Sequence, residues 1–222
     1  MKTKIFLLIF LFQFIITTGQ AQDSIQSVST YKFSIHSISL NASWYNPSMD
    51  YWNNTFLPAA NSAGKFNGNI LFGGTISFNL PLNLGARVGA WYWQENVSGG
   101  ANASFNTLRI GFTDFSIGAF YRYPEQIIWE ISPYAGIDWN YFLIQNSYNV
   151  NGDVSKMSGY NIAGTPFIGI ERVFFKNIIL GLEYSYVIGG YHQKVETTSA
   201  TSRPWISING SKIGLTLGYK FP

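Results

Sequence analysis

An all-β chain whose eight antiparallel strands close into an up-and-down barrel is what this sequence predicts, and three observations predict it. Segments of alternating apolar and polar residues recur along the chain, and a period of two belongs to a strand with two unlike faces. The connections between those segments alternate between tight turns and long loops. Aromatic residues make up 18% of the 222 residues and charged ones only 11%, against a usual charged share of roughly 25%. No run beyond the N-terminal segment is long and apolar enough for a membrane helix, so low charge combined with hidden apolar faces fits a barrel that spans a membrane with strands.

Taken in order, the first strand covers Ser37 to Tyr45, with Ile38, Leu40, Ala42 and Trp44 on one face. Tyr31, Phe33 and Ile35 sit on the other parity, so a bulge is expected near His36. The second strand runs from Ile70 to Leu80 and the third from Leu84 to Gln94, joined tightly through Pro81-Leu82-Asn83. The fourth, Thr107 to Tyr123, carries Leu108, Ile110 and Phe112 and then Phe115, Ile117, Ala119, Tyr121 and Tyr123, which implies a parity slip near Asp114. Pro124-Glu125-Gln126 turns it into the fifth, Ile127 to Leu143.

The sixth strand spans Tyr160 to Arg172 and the seventh presents Ile178, Leu180, Leu182, Tyr184 and Tyr186 after a turn at Phe175-Lys176-Asn177. The eighth starts near Trp205 and ends with Ile213, Leu215, Leu217, Tyr219 and Phe221 on one parity. Pro133 and Pro166 fall inside strands, where a closed sheet has no free edge for a missing N–H, so local bulges are expected there. Long loops are expected at 46–67, 95–106, 145–159 and 190–204. Trp44, Tyr45, Tyr92, Trp93, Trp139, Tyr141 and Trp205 lie near the long-loop ends, while Tyr121, Tyr123, Trp129 and Phe175 lie near the tight turns, as two interfacial girdles would.

The N-terminus gives the compartment. Met1-Lys2-Thr3-Lys4 is a short basic region, Ile5 to Ile16 an apolar run, and Gly19 and Ala21 a small-residue cleavage site. That run is short of the roughly 20 residues of a spanning helix. Residues 1–21 are therefore expected to be a signal peptide and 22–222 the barrel domain. Its removal takes two lysines and no acid from a net charge of +3, which leaves about +1, so the basic pI of 9.0 carries no argument for nucleic acid. With no cysteine, a disulfide framework and a thiolate metal site are both excluded.

The closing strand, with Tyr219 and Phe221 at its end, resembles the last strand of bacterial outer-membrane β-barrels. Pro222 adds one residue beyond the aromatic where that family usually has none. Over its mature length the chain resembles small eight-stranded barrels of the OmpA/OmpX-like class, and the Ala21-Gln22 junction and Gly181-Leu182-Glu183-Tyr184-Ser185-Tyr186 look like those from Bacteroidota. The resemblance implies location in the cell outer membrane, among outer-membrane lipid and lipopolysaccharide. It also implies insertion by the outer-membrane assembly machinery, which reads Tyr219 and Phe221 as its signal.

If the apolar parity faces lipid, Arg87, Arg109, Glu130, Asp138, Glu171, Glu183 and Lys212 collect inside as a polar network. Mixed signs imply pairing, since a lone buried charge is costly. Eight strands enclose only enough room for side chains, so a polar plug is expected rather than a general porin. Catalysis is not expected: only His36 and His192 are present, and Ser37, directly after His36, is sent to the opposite face. Neither a cofactor nor a metal is implied. The expected role is structural or interactive, through four long extracellular loops and a partner the sequence does not name. Alternatives are an accessory subunit of an envelope secretion or assembly system, or a soluble periplasmic lipocalin-like carrier with its apolar face inward.

Overall fold

The computed structural model describes residues 33–124, 130–150, 153–193, 195–196 and 201–222. The expected signal peptide, Tyr31, the turn at Glu125-Gln126 and the expected start of the fifth strand with Trp129 lie outside those residues. The strands are β1 (Ser34–Pro47), β2 (Asn69–Asn79), β3 (Leu84–Ser98), β4 (Thr107–Arg122), β5 (Ile131–Val150), β6 (Asp153–Phe174) and β7 (Ile178–Val187). Four short strands follow, β8 (Gly190–His192), β9 (Val195–Glu196), β10 (Thr201–Ser202) and β11 (Trp205–Ser207), before β12 (Gly210–Lys220). Strands β1 to β7 and β12 form a closed antiparallel ring of eight, with β12 paired to β1. This is an eight-stranded transmembrane β-barrel.

Closure gives each strand of the ring a paired neighbour on both sides. The alternating apolar residues face out: Leu40 is 71% exposed and Leu215 66%, while the neighbouring Ser39 and Gly214 are turned inward. A lipocalin-like carrier would need the opposite parity.

The two turns that join β2 to β3 and β6 to β7 are tight for a local reason. Leu82 and Asn83 have φ of 63° and 60°, and Phe175 and Lys176 of 49° and 72°, the hand that matches the twist of the flanking strands. At the other end the rim is uneven. Strands β3 to β6 pair continuously up to Ser98↔Thr107, Thr107↔Asn149 and Val150↔Asp153, forming a tall wall. Opposite it, β7 ends at Val187 and β2 begins at Asn69. The expected long loop at 145–159 is thus mostly strand. Within the expected 190–204 loop β9 pairs with β10, while Trp205, the expected start of the eighth strand, lies in β11, which pairs with β8 outside the ring; the ring strand itself starts at Gly210.

His36 is the extra residue of a bulge, where the β1–β2 register shifts between Ile35 and Ser37. The bulge turns both His36 and Ser37 inward, at 5% and 4% exposure, so they do not take opposite faces as simple alternation would have it. Near Asp114 there is no slip, because the β3–β4 and β4–β5 ladders run without a shift. Leu108, Ile110 and Phe112 consequently point into the barrel while Phe115, Ile117 and Tyr121 point out.

The two strand prolines need no bulge. Pro133 lies past Arg122↔Tyr134, the last pair between β4 and β5, so its missing N–H falls off the end of that ladder, while its carbonyl accepts from Tyr123 N at 2.9 Å. Pro166 sits where β6 and β7 part: their pairing stops at Phe167↔Ser185 and resumes as a single bridge at Gly164↔Ile188. The absent donor and the interrupted ladder coincide.

Candidate functional site

The lumen has two storeys, and the lower one, toward the tight turns, is ionic. Arg87 on β3 donates from Nε and Nη2 to the two Asp138 oxygens at 2.9 and 2.6 Å, and from Nη1 to Glu183 Oε2 at 2.6 Å. Its guanidinium also lies 3.5 Å from the centroid of Phe167. Tyr134 Oη donates to Glu183 Oε2 at 3.2 Å. A second group joins Arg122 Nε to Glu171 Oε1 at 2.9 Å, with His36 Nε2 3.5 Å from the same oxygen. Forked guanidinium–carboxylate pairs are the arrangement in which buried charge is tolerable.

Glycine makes the space for these pairs. Arg87 and Asp138 lie on one row of the sheet with Gly118 between them, and a Cβ on Gly118 would meet the Asp138 carboxylate. Gly169 stands in the same way between Tyr134 and Glu183, and a Cβ there would meet the Tyr134 ring. Higher up, Asn140 Nδ2 donates to Asp114 Oδ2 at 2.8 Å and accepts at Oδ1 from Thr165 Oγ1 at 2.6 Å. Lys212 is buried with Nζ 5.6 Å from the Trp91 ring. The cavity beside Arg87, Arg122, Glu171 and Glu183 measures about 40 Å³, room for about one water.

The upper storey is apolar. Tyr45, Trp93, Phe112 and Phe142 are buried there in sequence, with Trp93 stacked on Phe112 at 4.9 Å. Tyr45 and Trp93, expected in the aromatic girdle, are inside because they occupy the inward parity beside Trp44 and Tyr92, which do face out. The segment after β1 folds into this storey. A short helical stretch, Trp52–Phe56 continued by Leu57–Ala59, buries Trp52 and Leu57 against the tall wall. Phe56 meets Tyr148 at 5.7 Å, and Trp52 Nε1 donates to Tyr191 Oη at 3.2 Å.

Two clasps hold this loop: Asn53 bonds both Phe66 N and Phe66 O, at 2.8 and 3.0 Å, and the Glu95 carboxylate accepts from Asn67 N and Gly68 N at 2.9 and 3.1 Å. Tyr191, on β8 above the ring, has its phenol pushed up to about 12 by burial.

Of the residues expected inside, the structure brings Arg87, Asp138, Glu183, Glu171 and Lys212 into the lumen. It does not bring Arg109 or Glu130 there. Arg109 keeps the outward parity that an unslipped β4 imposes, and its Nη2 donates to Tyr92 Oη at 3.2 Å and to Gln94 Oε1. Glu130 precedes β5 with φ 61°, which swings it out of the alternation; its side chain is 67% exposed and 3.8 Å from Arg172. Arg122, His36 and Asp114 were missed. Arg122 was readable from its alternation with Tyr121 and Tyr123, whereas His36 and Asp114 depended on a bulge and a register. Among the described residues no three of His, Asp and Glu converge on a metal position.

At the closing seam Tyr219 faces out and its ring meets Phe221 at 5.3 Å, while Phe221 N donates to His36 O at 2.9 Å.

No protein-family model matches the sequence, and no curated protein matches it. Solved structures do. The fold is similar to that of Neisserial surface protein A (NspA), at 15% identity over 86% of this chain and 99% of that one, with a TM-score of 0.52. It is similar to the outer membrane protein OprG from Pseudomonas aeruginosa, at 13% identity over 84% and 96%, TM-score 0.59. It is also similar to Ail, the attachment invasion locus protein of Yersinia pestis, at 12% identity over 84% and 98%, TM-score 0.51. The chain therefore has the fold of small eight-stranded outer-membrane β-barrel proteins.

Proposed function

We propose that this protein is an integral barrel of the bacterial outer membrane, with the tall wall and the long loops outside the cell, and that it acts as a surface structure or adhesive element and not as a pore or an enzyme. The observation that carries this reading is the doubly filled lumen, salt-bridged below and closed above by the inserted Trp52–Ala59 segment. Among the described residues the lumen is occupied at Arg87 and at Trp52, which supports placing the function on the surfaces at the loop end. Tyr219 and Phe221 at the closing strand support recognition by the assembly machinery, and the apolar outer face supports residence among outer-membrane lipids.

Planar-bilayer recording with the purified protein tests the reading, together with fractionation and electrophoresis of boiled and unboiled samples. The expected result is outer-membrane recovery, a shift in mobility on boiling, and no large steady conductance. A stable conductance like that of a barrel of about sixteen strands would overturn it.

A further inference from the structure

Outside the barrel, on the tall wall, two cations share a concave polar surface that the lumen does not use. Arg109, Ser147 and Lys156 are successive partners on one row across β4, β5 and β6, and Gly111, Gln145 and Ser158 form the next row toward the apolar band. With no side chain, Gly111 leaves a hollow between these rows. The cavity measures about 450 Å³ and is lined by Tyr92, Arg109, Gln145, Ser147, Lys156 and Ser158.

Three features identify its ligand. Both cations lack an acidic partner among the described residues, whose ion pairs all lie elsewhere. Among the described residues, the outward parity of β1 to β7 and β12 carries no Asp or Glu at all. Finally, the Arg109 guanidinium is tethered to the hydroxyl of Tyr92, a 47% exposed girdle tyrosine, and an interfacial tyrosine holds its hydroxyl at headgroup level. The charge is thus fixed at the membrane–water boundary, facing lipid, with hydroxyl and amide donors beside it.

We propose that this hollow binds the phosphate of a phosphorylated glycolipid headgroup in the outer leaflet, with Arg109 and Lys156 as the charge-bearing contacts and Ser147, Ser158 and Gln145 as neutral donors. The proposal rests on the outer-membrane reading above. Each cation should contribute about fivefold to binding, and the two together about 25-fold.

The test titrates the folded protein in detergent with diphosphorylated lipid A, with the same lipid stripped of phosphate, and with inorganic phosphate, read by native mass spectrometry. The wild type is compared with Arg109→Gln, Lys156→Gln, the double variant, and Arg109→Lys as the charge-preserving control. Retention of the boiling-dependent mobility shift certifies each sample as folded, and both positions are exposed enough for substitution. The expected result is binding of the phosphorylated lipid that falls about 25-fold in the double variant, survives in Arg109→Lys, and is weak for the stripped lipid. Equal binding by wild type and double variant would overturn the site, and so would equal binding of both lipids. Competition by inorganic phosphate at the concentration of the lipid would assign the hollow to a soluble anion and overturn the lipid source. Failure of the outer-membrane reading would instead appear in the fractionation, independently of these affinities.

Discussion

Arg87 and Asp138 face each other across an empty place on one sheet row: Gly118, the residue between them, has no side chain, and the guanidinium and carboxylate meet over it in a two-pronged pair of 2.9 and 2.6 Å. Among the described residues, Arg87 alone forms ion pairs with both Asp138 and Glu183.

Removing the cation is therefore expected to be worse than removing one acid. Arg87→Ala leaves two carboxylates without their cation and should cost about 3–5 kcal/mol or more, while Asp138→Asn should cost less because Glu183 still holds the guanidinium. Denaturant unfolding in lipid vesicles, followed by tryptophan fluorescence, gives both values.

Gly118→Ala should destabilise by about 1–3 kcal/mol through overpacking against the Asp138 carboxylate. The penalty should shrink when Asp138→Ala is present, because the obstructed atoms are gone. A double-mutant cycle measures that coupling, and simple additivity would show that Gly118 serves some other purpose.

Leu215 and Thr216 are adjacent and face opposite ways on the closing strand. Leu215→Arg should cost about 2–4 kcal/mol if the side chain sits near mid-bilayer. Thr216→Ser, which keeps the hydroxyl that Thr216 donates to Asn41 Oδ1 at 2.7 Å, should be almost neutral. Folding free energies in bilayers distinguish the two.

Trp52→Ala should free the loop without opening the ring. Truncating a buried tryptophan costs about 3–5 kcal/mol of packing, and that loss falls on the contacts of the 48–68 segment with the wall. Limited proteolysis should cut within that segment faster than in the wild type, with the mobility shift on boiling unchanged.

The mature chain is expected to begin at Gln22. Intact-mass measurement of protein recovered from membranes would refute this if Lys2 and Lys4 were retained.

Most of the ring was legible in the sequence because alternation is a local property: Ile213 to Tyr219 or Ile178 to Tyr186 announce a strand and its two faces without any knowledge of neighbours. What alternation does not carry is the sign of a face when both surroundings are apolar. Leu108, Ile110 and Phe112 read like a lipid-facing row, yet they pack under the inserted loop, and only the register with β3 and β5 distinguishes the two. The same ambiguity sent Arg109 inward on paper. From the membrane–water boundary upward the outward residues of β5 and β6 become polar, from Gln145 to Asn149 and from Lys156 to Ser158, so a strand that continues looks like a loop that begins.

The seam between β1 and β12 joins residues such as Asn41 and Thr216, which are 175 positions apart in the chain. Contacts of such separation form late and slowly, and until they form, both terminal strands offer open hydrogen-bonding edges and a full set of uncovered apolar side chains. Transit to the membrane is therefore the hazardous stage in the life of this molecule. With only 11% charged residues, the chain has little protection against self-association until the seam has closed.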